Sequence, residues 1–173
     1  MRQGMMTVAV TLGHVARAAL WVAGICLILM TLFIAVQVFS RYVLGTSQTW
    51  TEPTAILLMG WFIFLGAAVG IREGYHLSFD VLLYVLPEGA GKVLHSLSDI
   101  AVGAFGAGML WYGAELMIRT WTAVMPTLGL PGGVAFLPVT LGGALVLIFS
   151  LERLARRAAG LHTMRFGEDA PVE

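Results

Sequence analysis

The distances between charged residues constrain this chain more tightly than any motif in it. Twenty-three uncharged residues separate Arg17 from Arg41, 19 separate Glu52 from Arg72, and 32 separate Arg119 from Glu152. A helix rises ~1.5 Å per residue and the hydrocarbon core of a bilayer is ~30 Å thick, so about 20 such residues cross it. A fourth stretch, Val93 to Ile118, carries charge only at Asp99 and Glu115, near its two ends. With 58% of the chain hydrophobic and 12% charged, against roughly a quarter charged in soluble proteins, much of the surface has to face lipid. Lipid offers backbone N–H and C=O groups no partner, and these runs are too long and unalternating for barrel strands. The reading is an all-α integral membrane protein with four transmembrane helices, at about 18–39, 53–71, 93–119 and 131–151, bundled into one domain over 1–160.

The first run is too long for a cleavable secretory signal, whose apolar core is about 7 to 15 residues, and is expected to stay as an anchor. Four spans put both termini on one side. Eight of the ten Lys and Arg residues fall in the two terminal segments and the middle loop, and only Arg41 and Arg119 fall on the opposite side. Basic residues prefer the cytoplasm, so N and C termini are expected there. The two outward loops hold about a dozen residues each, too few to fold an external domain. In the middle loop Phe79, Leu82, Leu83 and Leu86 recur at helical period, with Ser78 as N-cap, Asp80 in the first turn and Pro87 as a stop. A short amphipathic helix on the membrane surface over about 79–86 follows; a brief hydrophobic loop under the bundle is the alternative. Pro53 and Pro131 suit first turns, whereas Pro138 falls inside the fourth span and should bend it. The tail, 161–173, is polar and expected to lack fixed structure.

Ten Lys and Arg balance ten Asp and Glu, which leaves no basic excess for nucleic acid. The lone cysteine, Cys26, forms no pair for redox or metal chemistry. His14, His76, His95 and His162 all map to the cytoplasmic side, so no two imidazoles face each other across the membrane to hold haem. No phosphate loop, catalytic triad or metal spacing occurs. The sequence therefore predicts no catalytic residue, no metal and no cofactor. Intramembrane ionisable groups are functional candidates by default. Glu115 and Arg119 stand at i, i+4, in the order that favours a local ion pair, with an ion relay as the other reading. Asp99 lies about one turn inside the third helix, where it either serves a function or reaches headgroup water. Gly66 and Gly70, and Gly103 and Ala107, are small-xxx-small pairs; Ala104 and Gly108 form another, and Gly142 and Gly143 flatten the fourth helix. These let helices approach closely, within the chain or against another subunit.

Four segments also resemble a known family. QVFSRY (Gln37 to Tyr42), WTEP (Trp50 to Pro53), Trp61 followed by FLGAAVGIR (Phe64 to Arg72), and HLSFDVL (His76 to Leu82) are similar in order and spacing to the small membrane subunit, DctQ-type, of tripartite ATP-independent periplasmic (TRAP) transporters. Family members often carry a second acidic residue where this chain has Pro53. The resemblance implies a bacterial inner-membrane protein that partners a large TRAP membrane subunit and a periplasmic solute-binding protein. Together they would take up a small carboxylate, such as a C4-dicarboxylate or sialic acid, by sodium symport. The small subunit would brace the large one against membrane lipids. In that frame Gln37, Arg41, Tyr42, Trp50, Glu52, Arg72, His76 and Asp80 become structural residues. Arg41 would pair with Glu52 at the outer corner, Trp50 would anchor that corner in the headgroup layer, and Arg72, His76 and Asp80 would tie the second helix to the surface helix. Two other functions compete: a redox membrane anchor for haem or quinone, and a stand-alone proton-coupled exporter acting as a homodimer, with Asp99 or Glu115 as its proton carrier.

Overall fold

The computed structural model describes residues 2–46, 48–73 and 88–158. They form four long helices, α1 (Arg2–Tyr42), α2 (Thr51–Glu73), α3 (Glu88–Arg119) and α4 (Leu137–Ala158), with a 3-10 helix over Gly132–Phe136 leading into α4. All four contain stretches long and apolar enough to cross a membrane. The surface helix expected at 79–86, with His76 and Asp80 beside it, and the tail 161–173 lie outside the described residues.

The helices are not bundled around an axis. α1 packs on α2, α2 on α4 and α4 on α3, so that α1 and α3 stand at opposite ends of a row. Within each hairpin the helices run antiparallel. Between the hairpins α2 and α4 run parallel: Gly60 meets Pro138, Phe64 meets Gly142, and Ile71 meets Arg153. α4, at the inside of the row, is the most enclosed helix, with 39% of its apolar window buried against 11% in α3. The row has a physical cause. Lipid is as apolar as a leucine side chain, so no solvent drives the helices into a closed bundle, and close backbone fit decides the neighbours.

Close fit comes from small residues. On α1, Ala9, Gly13, Ala16, Ala19, Ala23 and Cys26 are buried at steps of three and four, a seam of small residues along the helix that packs on α2. Ala16, Ala19 and Ala23 join Leu65, Ala68 and Val69 of α2 and Val146 and Phe149 of α4 in one core, with Trp61 packed partly buried against it. On the α3–α4 side a Cβ at Gly106 would stand 2.8 Å from Val146 Cγ1, and one at Gly143 would stand 2.7 Å from Leu110 N. Only glycine fits there.

Three boundaries differ most from the sequence reading. α1 spans 41 residues, ~60 Å at 1.5 Å per residue, and begins 16 residues before the expected start because the small-residue seam continues to Ala9. α4 begins at Leu137, since 132–136 form the 3-10 helix. Pro138 is therefore in the first turn, where its missing N–H breaks no helical bond, and it does not bend the helix as expected. α4 also runs on to Ala158, past the expected end at 151, because its last charged turns find partners on α2 and α3. The loop before it is ordered by backbone bonds, Met125 N to Leu130 O at 2.9 Å and Gly129 N to Met125 O at 2.9 Å, with Gly129 at φ 65°.

Candidate functional site

The parallel register of α2 and α4 and the antiparallel register of α3 and α4 bring charges together at the end of the row that carries the chain termini. Arg72 and Glu73 close α2, Asp99 faces in from α3, and Glu152, Arg153 and Arg156 come from α4. Arg72, Glu73, Asp99, Arg153 and Arg156 are each no more than 6% exposed. Arg153 Nε stands 3.2 Å from Asp99 Oδ1, Arg156 Nε 3.1 Å from Glu152 Oε1, Arg72 Nη1 3.3 Å from Glu73 Oε1, and Arg72 Nε 4.0 Å from Glu152 Oε2. Backbone joins in: Arg72 Nη2 donates to Ala9 O of α1 at 3.4 Å, and Arg153 Nη1 donates to Ile71 O of α2 at 2.8 Å. Arg72 also lies over the Phe149 ring, 6.0 Å from its centre.

Three guanidiniums and three carboxylates make the cluster neutral, the condition under which buried charges are tolerated. All four helices contribute to it. Arginines keep their protons in proteins, so the arrangement is suited to locking helices together. Asp99, a candidate from sequence, is thus engaged with Arg153. Arg72 turns to Glu73 and Glu152, while the expected partners His76 and Asp80 fall outside the described residues. Glu73, Glu152, Arg153 and Arg156 were not singled out from sequence. The i, i+4 spacing of Glu152 and Arg156 was the available signal.

At the opposite end, Gln37 Nε2 donates to Glu52 Oε2 at 3.3 Å. Arg41 is exposed and forms no ion pair among the described residues, so the expected Arg41–Glu52 pair is replaced by Gln37–Glu52. Tyr42 is 81% exposed. Trp50 packs edge-on against Phe33 with centres 5.6 Å apart and donates from Nε1 to Gln48 at 3.2 Å. A largely apolar cavity of about 370 Å³ opens beside Glu52, between the start of α2 and Met125 and Ala135 of the second hairpin. Glu115 and Arg119 pair at 2.6 Å with both side chains substantially exposed. Such a pair contributes about 0–1 kcal/mol, so Glu115→Ala should leave the unfolding midpoint of the purified chain nearly unchanged. A large fall in that midpoint would mean that the pair is structural.

The small-residue pairs divide. Gly103 faces Ser150, with a Cβ there 3.4 Å from Ser150 Cβ, and Ala107 is half-buried beside it. Among the described residues nothing stands within 4 Å of a Cβ added at Gly66 or Gly70, so neither is required to be glycine by a close approach there. The α1 seam and Gly106, Gly113 and Gly143 carry the internal contacts instead. Among the described residues no group of three or more His, Cys, Asp and Glu is placed to hold a metal.

Comparison with known proteins places this geometry in context. The family model for tripartite ATP-independent periplasmic transporters, DctQ component, matches residues 30–160. A Haemophilus influenzae protein named as a TRAP transporter small permease protein is 26% identical over 148 residues, covering 83% of this chain and 90% of its own length. A Sinorhizobium fredii protein, y4mM, is 29% identical over 161 residues, 89% of this chain but 28% of its own length. The C4-dicarboxylate TRAP transporter small permease protein DctQ of Rhodobacter capsulatus is 29% identical over 111 residues, 62% of this chain and 48% of its own length.

Proposed function

Because the chain belongs to the family of DctQ components of tripartite ATP-independent periplasmic transporters, a family of transporter subunits and not of enzymes, we propose that it is the scaffold of such a system. It is a multi-pass inner-membrane protein, and the part assigned to it is to brace a large permease subunit while that subunit carries the solute. One observation supports this reading above the others: the middle of the row is filled by Leu65, Ala68, Val69, Val146 and Phe149, and the ionisable groups buried at one end of it are paired with one another. A carrier needs polar groups free to bind cargo near the bilayer midplane. Here Asp99, which a proton-coupled exporter would use, faces Arg153 at 3.2 Å.

The finer assignments belong to the same proposal. The solute is a small carboxylate of the C4-dicarboxylate type, the substrate in the names of the Rhodobacter and Vibrio cholerae relatives, taken up with sodium and delivered by a periplasmic binding protein. Both termini face the cytoplasm, which puts the ion cluster on that side. Co-expression with a large permease and a binding protein should give a stable complex of the two membrane subunits, and vesicles should take up dicarboxylate only when all three parts are present. Transport by this chain alone, or a haem absorbance in the purified protein, would overturn the scaffold reading.

The face of α2 that presents Gly66 and Gly70 is assigned to the large subunit. Exposed glycine destabilises a helix interior by ~1 kcal/mol relative to alanine, and small residues are favoured where another transmembrane helix closes in. Gly66→Leu should leave the isolated chain folded, since among the described residues nothing stands within 4 Å of an added Cβ, yet lower recovery of the large subunit on co-purification. Full recovery would move the interface to another helix.

A further inference from the structure

The last four carbonyls of any α-helix lack intrahelical partners, and they carry the negative end of the helix dipole. At the end of α2 these groups are shut away from solvent: Arg72 is 3% and Glu73 5% exposed. A guanidinium from another helix meets them. Arg153 Nη1 donates to Ile71 O at 2.8 Å and to Arg72 O at 3.4 Å, while Nε of the same side chain stands 3.2 Å from Asp99 Oδ1 on α3. Arg153 is itself 6% exposed. We infer that Arg153 is the C-terminal cap of α2, supplied in trans from α4, and that it is a positioning residue which fixes the point where the chain leaves its second span.

The side chain suits the task. A guanidinium is a rigid planar fork with five donors, so one face holds the carboxylate while another reaches two carbonyls. A lysine ammonium presents a single centre of charge on a flexible stem and cannot serve both sides from one place. Asp99 is then a charge partner that sits 3.2 Å from Nε, on the side of the guanidinium away from Nη1, the donor to the α2 carbonyls. The cap joins three helices and crosses between the hairpins, so the segment after Glu73 starts from a point set by α3 and α4. The rival is a local stop: Gly74 follows α2 in sequence, and glycine after the last turn is the usual way a helix closes its own carbonyls.

Hydrogen exchange of the full chain in lipid nanodiscs separates the two. In Asp99→Leu/Arg153→Leu the ion pair is replaced by apolar side chains, a change that buried pairs often tolerate, while the cap is lost. Amides in the last turn of α2, Val69 to Glu73, should then exchange about tenfold faster, with the middles of α3 and α4 as protected as before. Arg153→Lys, which keeps the cation, should give a smaller rise confined to the same turn. It also serves where the double variant fails to fold. Unaltered exchange at the end of α2 in either folded variant would overturn the proposal and leave the stop to Gly74.

Discussion

Asp99→Ala is expected to reduce folding stability by about 3–5 kcal/mol, the range found when one partner of a buried ion pair is removed. The reason is the group left behind. Arg153 would remain 6% exposed, with its charge no longer balanced by the carboxylate now 3.2 Å away. The double leucine variant at 99 and 153 should recover most of the loss, since it removes both charges at once. Unfolding in mixed micelles, followed by helix content, measures both. A loss below 1 kcal/mol for Asp99→Ala would mean that water or lipid headgroups reach the cluster and that the pair behaves like the exposed Glu115–Arg119 contact.

Gly143→Val should separate the two helices of the second hairpin. A Cβ at 143 would already stand 2.7 Å from Leu110 N, 2.7 Å from Met109 Cβ and 3.0 Å from Gly106 O, and two of those three atoms are backbone, so no side chain can swing aside. Overpacking of this kind costs ~1–3 kcal/mol, and valine adds two methyl groups beyond the Cβ. The measurement is a disulfide between cysteines placed at 103 and 150 in a Cys26→Ala background. A Cβ at Gly103 lies 3.4 Å from Ser150 Cβ, close to the ~3.5–4.5 Å that a disulfide spans. Cross-linking should be efficient with Gly143 and largely lost with valine. Gly108→Ala is the control, because nothing lies within 4 Å of its added Cβ. Equal cross-linking in the valine variant would contradict the close packing of α3 on α4.

The four spans were legible because lipid imposes one simple test, the length of chain without charge, and the runs after Arg17, Glu52 and Arg119 pass it. The resemblance carried by QVFSRY through HLSFDVL pointed to the right family, as the match over residues 30–160 shows. What escaped was whatever depends on which helix faces which. Arg153 and Arg156 counted as tail charges that orient the chain, since nothing in a linear sequence says that a residue beyond a span will find Asp99 and Glu152 beside it. The α1 seam was visible in principle as Ala9, Gly13, Ala16, Ala19, Ala23 and Cys26, a run at steps of three and four, but isolated pairs of small residues do not show that six of them line one face. Gly66 and Gly70 fit the pair pattern, yet a Cβ on either would meet nothing within 4 Å among the described residues, whereas Gly106 belongs to no such pair and is a tight contact, as is Gly143, whose flattening of the fourth helix was legible. Pro138 was misplaced for a local reason: an apolar 3-10 turn over Gly132–Phe136 has the composition of the helix that follows.

A row of helices has a breadth that a closed bundle of the same four lacks. At an interaxial spacing of ~9 Å and a helix diameter of ~10 Å, four abreast extend ~37 Å in the membrane plane and only one helix in depth. Each helix then borders the outside on one flank or the other, so the molecule acts as a fence with two usable sides. A mobile neighbour secured along one side would find its lateral drift opposed by the whole length of that fence and by the annulus of lipid beyond it. A chain of 18.6 kDa arranged in this way would hold such a neighbour upright without touching what the neighbour carries.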